Sequence, residues 1–168
     1  LLEDAGLAVD CFIADSQIPT PDDVRHVEER IAKWRPQVVL GVGGGTKIDL
    51  AKLSSARQGI PFISVPTTAS HDGMASPFAS LRGLGRPYSV KAQSPMAVIA
   101  DTNTISEEPH RFLVSGCGDV MAKFTSTRDW ELAHKKHNEY YAQYASSLAL
   151  MSARHVACLL YTSDAADE

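Results

Sequence analysis

At 168 residues, the chain is long enough for one ordinary domain, or for one domain and the beginning of a second. Its 44% apolar and 21% charged residues are typical of a globular protein, and no apolar run approaches the ~20 residues needed to span a bilayer, which argues against membrane insertion. A net charge of −4 argues against the broad basic surface that nucleic-acid binding requires. The three cysteines lie far apart and form no C-x-x-C pair, which predicts a cytoplasmic protein without a disulfide framework.

The first half of the chain alternates between apolar runs typical of buried strands and the spacing typical of amphipathic helices. Strands are predicted over residues 6–14, 37–42 and 60–65. Helices are predicted over residues 22–33, where Thr20 is the expected N-cap, and over residues 46–58, which end before Gly59. This order of strand, helix, strand, helix, strand predicts an α/β fold with a parallel sheet and right-handed crossovers.

The second half changes character. Gly83, Gly85 and Pro87 lie between apolar flanks, which predicts a hairpin, and residues 97–100 predict a further strand. Beyond Pro109 the pattern predicts long helices over residues 112–127 and 138–157. We therefore expect an α/β domain over residues 1–104 that lacks its first strand, followed by the start of an all-helical domain over residues 105–156. Residues 157–168 depart from the preceding pattern and look like translated adapter sequence, so we expect a non-native tail there.

The strongest local motif is Gly43-Gly44-Gly45-Thr46-Lys47-Ile48-Asp49, between a predicted strand and a predicted helix. Glycines at this point allow a tight turn and let backbone N–H groups approach a ligand, while the helix N-terminus favours an anion. A pyrophosphate group is the natural ligand, although the glycines also fit a simple strand-to-helix turn. The motif is not the G-x-G-x-x-G fingerprint and, because isoleucine follows the lysine, it is not a Walker loop.

Three separated motifs identify a family. They are G-G-G-x-x-x-D over residues 43–49, P-T-T-A-S-H-D-G-M-A-S-P over residues 66–77 and G-C-G-D over residues 116–119. Together they resemble the superfamily of iron-type alcohol dehydrogenases, glycerol dehydrogenases and dehydroquinate synthases. Within it, S-H-D-G-M-A-S-P is most similar to the sn-glycerol-1-phosphate dehydrogenases. The resemblance implies NAD or NADP as cofactor in the α/β domain, and zinc or another divalent metal ion in the helical one.

The same resemblance implies that nine residues bind the cofactor. Five belong to the glycine motif and would surround the pyrophosphate: Gly44, Gly45, Thr46, Lys47 and, at the helix start, Asp49. Contacts to the rest of the cofactor are implied for Thr67, Thr68, Ser70 and Ser76. Independently of the family, hydroxyl and N–H groups that follow a buried parallel strand lie at the carboxyl edge of the sheet, where ligands bind in such folds. Capping of the next helical turn is the alternative role of these hydroxyls.

Two carboxylates are implied in binding substrate and metal. Asp72 would accept hydrogen bonds from substrate hydroxyls, with His71 as a structural neighbour. Asp119 would be the catalytic residue: it would ligate the metal, and so contact the substrate, together with two histidines that the resemblance places beyond the end of this chain. A carboxylate buried among glycine and apolar residues is costly unless paired or metal-bound, although helix capping is the alternative. His134 and His137 have a chelating spacing but lie in a polar run typical of a solvated helix face.

The reaction implied for an intact relative is NAD(P)-dependent reduction of dihydroxyacetone phosphate to sn-glycerol 1-phosphate, with the metal as Lewis acid, for the backbone of ether-type phospholipids. The expected partner is this small-molecule substrate, and a homo-oligomer is left open. A glycerol or other polyol dehydrogenase of the same fold is the first alternative, and a catalytically silent nucleotide-binding fragment is the second. Dehydroquinate synthase is disfavoured, because His71, Lys91 and Lys123 supply few basic groups. On its own, this polypeptide is expected to be inactive.

Overall fold

The computed structural model describes residues 2–15, 19–83 and 86–164. Its contacts divide the chain into two compact units, Leu1–Thr68 with Gly73–Glu108 and Ala69–Asp72 with Pro109–Glu168. Across the described residues, no helix combines the length and the apolar character needed to cross a membrane. The elements in chain order are α1 (Pro21–Trp34), β1 (Val39–Gly43), α2 (Gly45–Arg57), β2 (Phe62–Pro66), a 3₁₀ helix (Asp72–Ala75), β3 (Phe78–Gly83), β4 (Arg86–Lys91), β5 (Ala97–Val98), α3 (Thr102–Ser106), α4 (His110–Met121), α5 (Lys123–His137) and α6 (Gln143–Asp164).

Helix α1 begins at a complete capping box. The Asp23 N–H donates to the Thr20 hydroxyl at 3.3 Å, and the Thr20 N–H donates to an Asp23 carboxylate oxygen at 2.8 Å. Pro21 occupies the first turn, where a missing N–H costs nothing. The helix ends at Arg35, whose φ of 51° lies in the left-handed region. The helix predicted over residues 22–33 and its N-cap are therefore confirmed.

Replacing Thr20 by alanine should lower the free energy of unfolding by about 1 kcal/mol, because the Asp23 N–H loses its acceptor. Urea denaturation followed by circular dichroism measures this change. Thr104→Ala is the matched control: its exposed hydroxyl donates to Asp101 at 3.2 Å but caps no N–H, so we expect a loss below about 0.5 kcal/mol. Equal losses in the two variants would show that the capping box is not the cause.

Strands β1, β2 and β5 form a parallel sheet in the order β1-β2-β5. The pairing of β1 with β2 runs from Val39 opposite Phe62 to Gly43 opposite Pro66, so both strands end at the same edge of the sheet. Helix α2 connects these two strands and packs on both of them. A parallel sheet joined by helices confirms the predicted α/β fold.

The strand predicted over residues 6–14 is wrong. Residues 7–15 have no regular secondary structure, and none of the strands in the described ranges pairs with them. Their apolar side chains are largely exposed, that of Ile13 to 78%. An extended segment needs a neighbouring strand to satisfy its N–H and C=O groups, and apolar composition does not provide one. The segment is held instead by side chains. One guanidinium nitrogen of Arg30 donates to both carboxylate oxygens of Asp10 at 2.8 Å, and the Lys47 ammonium donates to the Ala14 carbonyl.

Strands β3 and β4 form the predicted hairpin. They pair antiparallel from Phe78 opposite Lys91 to Gly83 opposite Arg86. The predicted turn residue Gly85 lies outside the described residues. The hairpin joins α1 and α2 in a buried apolar cluster of Val24, Leu50, Leu53, Ala79 and Leu81.

The second unit consists of helices α4, α5 and α6 with the segment Ala69–Asp72. Large apolar side chains on these helices are exposed, including those of Leu113, Leu148 and Met151. The buried positions are held by small residues, which let helices approach closely. These positions are Gly116, Thr127, Ser146 and Ala153.

Two helix predictions in this unit need correction. The single helix predicted over residues 112–127 is wrong, because the chain turns at Ala122, which ends α4 and begins α5 without a glycine or proline to signal it. The second helix begins at Gln143 and not at Asn138, since Asn138 adopts a φ of 55° and ends α5. Helix α6 continues to Asp164, within the predicted tail. Helix formation does not test the origin of that tail, and the domain assignment stays a prediction.

Candidate functional site

The glycine motif joins β1 to α2 in the first unit. Gly43 has a φ of 138°, a conformation that side-chain-bearing residues rarely adopt, and a Cβ on it would come within 2.9 Å of the Lys47 side chain. Gly44 is the N-cap of α2 and provides no side-chain cap. The first N–H groups of a helix have no acceptor within the helix, so this N-terminus can donate to an anion.

The turn after β2 lies directly beside this motif. The Thr67 N–H donates to the Gly43 carbonyl at 3.1 Å, and a Cβ on Gly44 would come within 3.4 Å of the Thr68 hydroxyl oxygen. These contacts follow from the register, because Gly43 and Pro66 are opposite each other where the two strands end. The structure therefore brings Thr67 and Thr68 together with the glycine motif, as expected for residues that bind one ligand.

Two other residues of the motif are engaged within the protein. The Lys47 ammonium donates to the Ala14 carbonyl, which lies in the segment before α1. Thr46 lies in the first turn of α2, beside the N-cap Gly44. Both side chains are half-buried.

Asp49 lies in a buried network that sequence reasoning missed. One carboxylate oxygen accepts from the Lys52 ammonium at 3.1 Å, and the other accepts from the Ser80 N–H at 2.9 Å. Lys52 is completely buried and also donates to the carbonyls of Gly73 at 2.9 Å and Phe78 at 2.7 Å. Both oxygens of Asp49 are thus used inside the unit, so the structure gives it a role in holding α2 to the 73–80 segment. Its predicted contact with the cofactor stays a prediction.

The two predicted carboxylates are in contact in the second unit. The Asp72 N–H donates to Oδ2 of Asp119 at 2.9 Å, although the two residues are 47 positions apart. Oδ2 of Asp72 pairs with the Lys123 ammonium at 2.5 Å. Asp119 lies in the last turns of α4, and Lys123 is the first residue of α5. We call Asp72, Asp119 and Lys123 the carboxylate cluster.

The charge state of Asp72 depends on this cluster. Partial burial raises the pKa of its carboxyl group. The hydrogen bond from Lys123, a hydrogen bond shared with the Asp119 carboxyl group, and the charges of Lys123 and His71 lower that pKa by more. The net effect is a pKa below the usual value for aspartate, so Asp72 is an anion and a hydrogen-bond acceptor at neutral pH.

Gly116 determines how closely helix α4 approaches the Ala69–Asp72 segment. A Cβ on Gly116 would overlap the carbonyl oxygen of Ala69. Gly118, two residues further along the sequence, has no atom within 4 Å of the place where a Cβ would lie. Sequence reasoning treated these two glycines alike, because their difference depends on a segment about 47 positions away.

The remaining predicted residues lie outside the glycine motif and the carboxylate cluster. Ser70 and His71 belong to the second unit and are half-buried. Ser76 belongs to the first, where its hydroxyl is 3.3 Å from both the N–H and the carbonyl of Phe78. Nδ1 of His134 is 2.6 Å from the Glu139 carbonyl, and the ring stacks on Tyr141.

These residues fit a dinucleotide and one part of a metal site. The glycine motif is a cradle that Cβ atoms would fill, next to an uncapped helix N-terminus, as a pyrophosphate requires. Carboxylates suit divalent cations, and Asp119 supplies one. No group of three or more histidine, cysteine, aspartate or glutamate residues with the geometry to hold a metal occurs among the described residues.

Comparisons with known proteins agree with this arrangement. The sequence profile of a family described as iron-containing alcohol dehydrogenase matches residues 1–109. A glycerol-1-phosphate dehydrogenase [NAD(P)+] from Metallosphaera sedula is 50% identical over 143 residues, which are 85% of this chain and 40% of the relative. One of the same name from Sulfurisphaera tokodaii is 49% identical over 143 residues, 85% of this chain and 41% of the relative. The chain thus spans about 40% of the length of these curated relatives.

Solved structures show the same fold. Glycerol dehydrogenase from Schizosaccharomyces pombe superposes with a TM-score of 0.61 and 28% identity, over 69% of this chain and 30% of that one. An iron-containing alcohol dehydrogenase from Thermotoga maritima superposes with a TM-score of 0.65 over 73% of this chain and 39% of that one. Its 20% identity supports the fold alone.

Proposed function

Because this chain belongs to the iron-containing alcohol dehydrogenase family, we propose that the full-length protein containing it is an NAD(P)-dependent sn-glycerol-1-phosphate dehydrogenase. The observation that supports this substrate is the 50% identity to a curated glycerol-1-phosphate dehydrogenase over 85% of the chain. So few residues are left unmatched that the match includes both the glycine motif and the carboxylate cluster. The reaction would be reduction of dihydroxyacetone phosphate by NAD(P)H, with one proton taken up, to give sn-glycerol 1-phosphate.

The first unit would bind the cofactor. Backbone N–H groups at Gly44, Gly45 and Thr46 would donate to the pyrophosphate, and the dipole of α2 would stabilise its charge. Thr67 and Thr68 lie beside these glycines and would donate hydroxyl and N–H groups to the neighbouring part of the cofactor. Lys47 would contribute a positive charge, and Ser76 would contact the rest of the cofactor.

The second unit would bind the substrate. The Asp72 carboxylate would accept hydrogen bonds from the substrate hydroxyl and so orient the ketone. Asp119 would supply one ligand to a divalent metal ion, zinc in our proposal, with the other ligands coming from the part of the relatives that this chain does not cover. When bound, such an ion polarises a carbonyl oxygen as a Lewis acid. The Asp72 N–H holds Asp119 at 2.9 Å and would fix its orientation.

The product class suggests a place in metabolism. sn-Glycerol 1-phosphate is a backbone for ether-type phospholipids, so we propose a role in phospholipid biosynthesis. The cytoplasm is the proposed location, because the three cysteines form no disulfide.

The test is NADH- and NADPH-dependent reduction of dihydroxyacetone phosphate by the full-length protein loaded with zinc, compared with oxidation of glycerol. We expect turnover of the phosphate ester, and loss of turnover after treatment with a chelator. Turnover of glycerol alone would contradict the proposed substrate and leave the family assignment intact.

The role of Asp119 has its own test. Asp119→Ala should lower kcat/KM for dihydroxyacetone phosphate at least about 100-fold and weaken zinc binding, because the ion loses a ligand. Asp129→Ala is the matched control, since Asp129 is an exposed aspartate on α5 that no contact joins to the carboxylate cluster in the described chain. Full activity of Asp119→Ala would overturn the metal assignment.

A glycerol or other polyol dehydrogenase is the second candidate. Two solved structures similar to this chain at 27% and 28% identity are a probable glycerol dehydrogenase and a glycerol dehydrogenase. An anionic Asp72 can accept hydrogen bonds from the hydroxyls of either substrate. The comparison of phosphate ester with glycerol described above separates the two functions.

A further inference from the structure

Lys123 lies in the carboxylate cluster without an assigned role. It is the first residue of α5, four positions after Asp119. Its backbone is anchored, because its carbonyl accepts a hydrogen bond at 2.7 Å from the hydroxyl of Thr127, which is buried. Its ammonium is fixed at the other end by the 2.5 Å contact with Asp72. These two contacts orient the Lys123 side chain toward Asp72.

The ammonium of Lys123 retains unused hydrogen-bonding capacity. An ammonium has three N–H donors. Within the described ranges, the contact with Asp72 is the one hydrogen bond that this group makes. The side chains of Lys123 and Asp72 are 32% and 43% exposed, so a solute can reach both. Two N–H groups are therefore available to an anion that approaches Asp72.

A phosphate ester bound beside this cluster needs a positive charge near its phosphate group. Asp72 and Asp119 are both carboxylates, and each would repel a phosphate dianion placed beside it. An uncharged triose or polyol would feel no such repulsion. Lys123 supplies the one positive charge of the cluster, at a position where it can bind phosphate without leaving Asp72.

We propose that Lys123 is a specificity-determining residue, whose ammonium bridges the Asp72 carboxylate and the phosphate group of the substrate. This inference rests on the proposed function and deepens it. It assigns the recognition of a phosphorylated ketone, over its unphosphorylated analogue, to a residue of this chain. Asp72 then binds the hydroxyl end of the substrate while Lys123 binds its charged end.

The test compares two ketones on the full-length, zinc-loaded protein. Lys123→Met should raise KM for dihydroxyacetone phosphate roughly 10- to 100-fold, the loss expected when a charge-assisted hydrogen bond is removed. The kcat/KM for dihydroxyacetone, which has no phosphate, should change less than about threefold. Lys123→Arg keeps the charge and should retain most of the preference. The affinity for sn-glycerol 1-phosphate, measured by calorimetry in the absence of turnover, should fall by the same factor by which KM rises.

Lys135→Met is the matched control. Lys135 lies on the same helix and makes an ion pair of the same length, 2.5 Å, with Glu131. Its replacement therefore removes a comparable lysine ion pair outside the carboxylate cluster. We expect no change with either ketone. If Lys123→Met weakens both ketones equally, Lys123 only supports Asp72 and the proposal is overturned. It is also overturned if the preference for phosphate is unchanged.

The two hypotheses fail in different ways. A wild-type protein that reduces no dihydroxyacetone phosphate contradicts the proposed function. A wild-type protein that reduces it, with a Lys123→Met variant that binds sn-glycerol 1-phosphate as tightly, contradicts the role of Lys123 alone.

Discussion

Lys52→Met should lower the free energy of unfolding by about 3–5 kcal/mol, the range expected when one partner of a buried ion pair is removed. The Lys52 side chain is completely buried, and its ammonium donates to Asp49 and to the carbonyls of Gly73 and Phe78. Methionine fills a similar volume but leaves the Asp49 carboxylate buried without a counter-charge and removes the ammonium that donates to both carbonyls. Urea denaturation of wild type and variant measures the difference.

Two variants show whether the buried charge is the cause. Asp49→Asn in the Lys52→Met background removes the uncompensated charge and keeps an oxygen for the Ser80 N–H, so part of the lost stability should return. Arg25→Met is the matched control, because Arg25 pairs with Asp22 at 2.9 Å on the exposed face of α1 and should cost less than about 1 kcal/mol. Equal losses for Lys52→Met and Arg25→Met would contradict the role of burial.

Elements with local signals could be predicted from the sequence. The spacing of Thr20 and Asp23 predicts where helix α1 begins, and the glycine motif marks the end of β1 and the start of α2. The strand predicted over residues 6–14 was wrong, because a strand depends on a neighbour that need not be close in sequence. The turn at Ala122 has no signal of its own, so one predicted helix became two.

The candidate site was predictable where a motif marks it. Asp72 and Asp119 were both identified from motifs, and the structure places them in contact. Lys52 was missed, although its position three residues after Asp49 on a helix is the spacing of an ion pair. No local sequence pattern shows that this pair is buried, or that the Lys52 ammonium donates to two carbonyls of a later segment. Lys123 was noted only as a basic residue, because its contact with Asp72 depends on the meeting of two distant segments.

Gly116→Ala should disrupt the carboxylate cluster and destabilise the second unit by about 2–3 kcal/mol. A Cβ at this position would overlap the carbonyl oxygen of Ala69, which is backbone and cannot move without moving the whole segment. That segment carries Asp72, so a shift would lengthen the contact of its N–H with Asp119. We therefore expect weaker zinc binding by the full-length protein, together with a lower urea midpoint.

Gly118→Ala gives the control within the same helix. Its Cβ would meet nothing within 4 Å, and alanine has the better helix propensity, so this variant should be more stable than wild type by about 0.5–1 kcal/mol. Zinc binding should stay unchanged, although Gly118 is next to Asp119 in sequence and Gly116 is three positions away. Opposite effects of the same substitution at these two positions would establish that the close approach to Ala69 requires glycine at position 116. Similar effects at both positions would show that a general change in α4 accounts for the result.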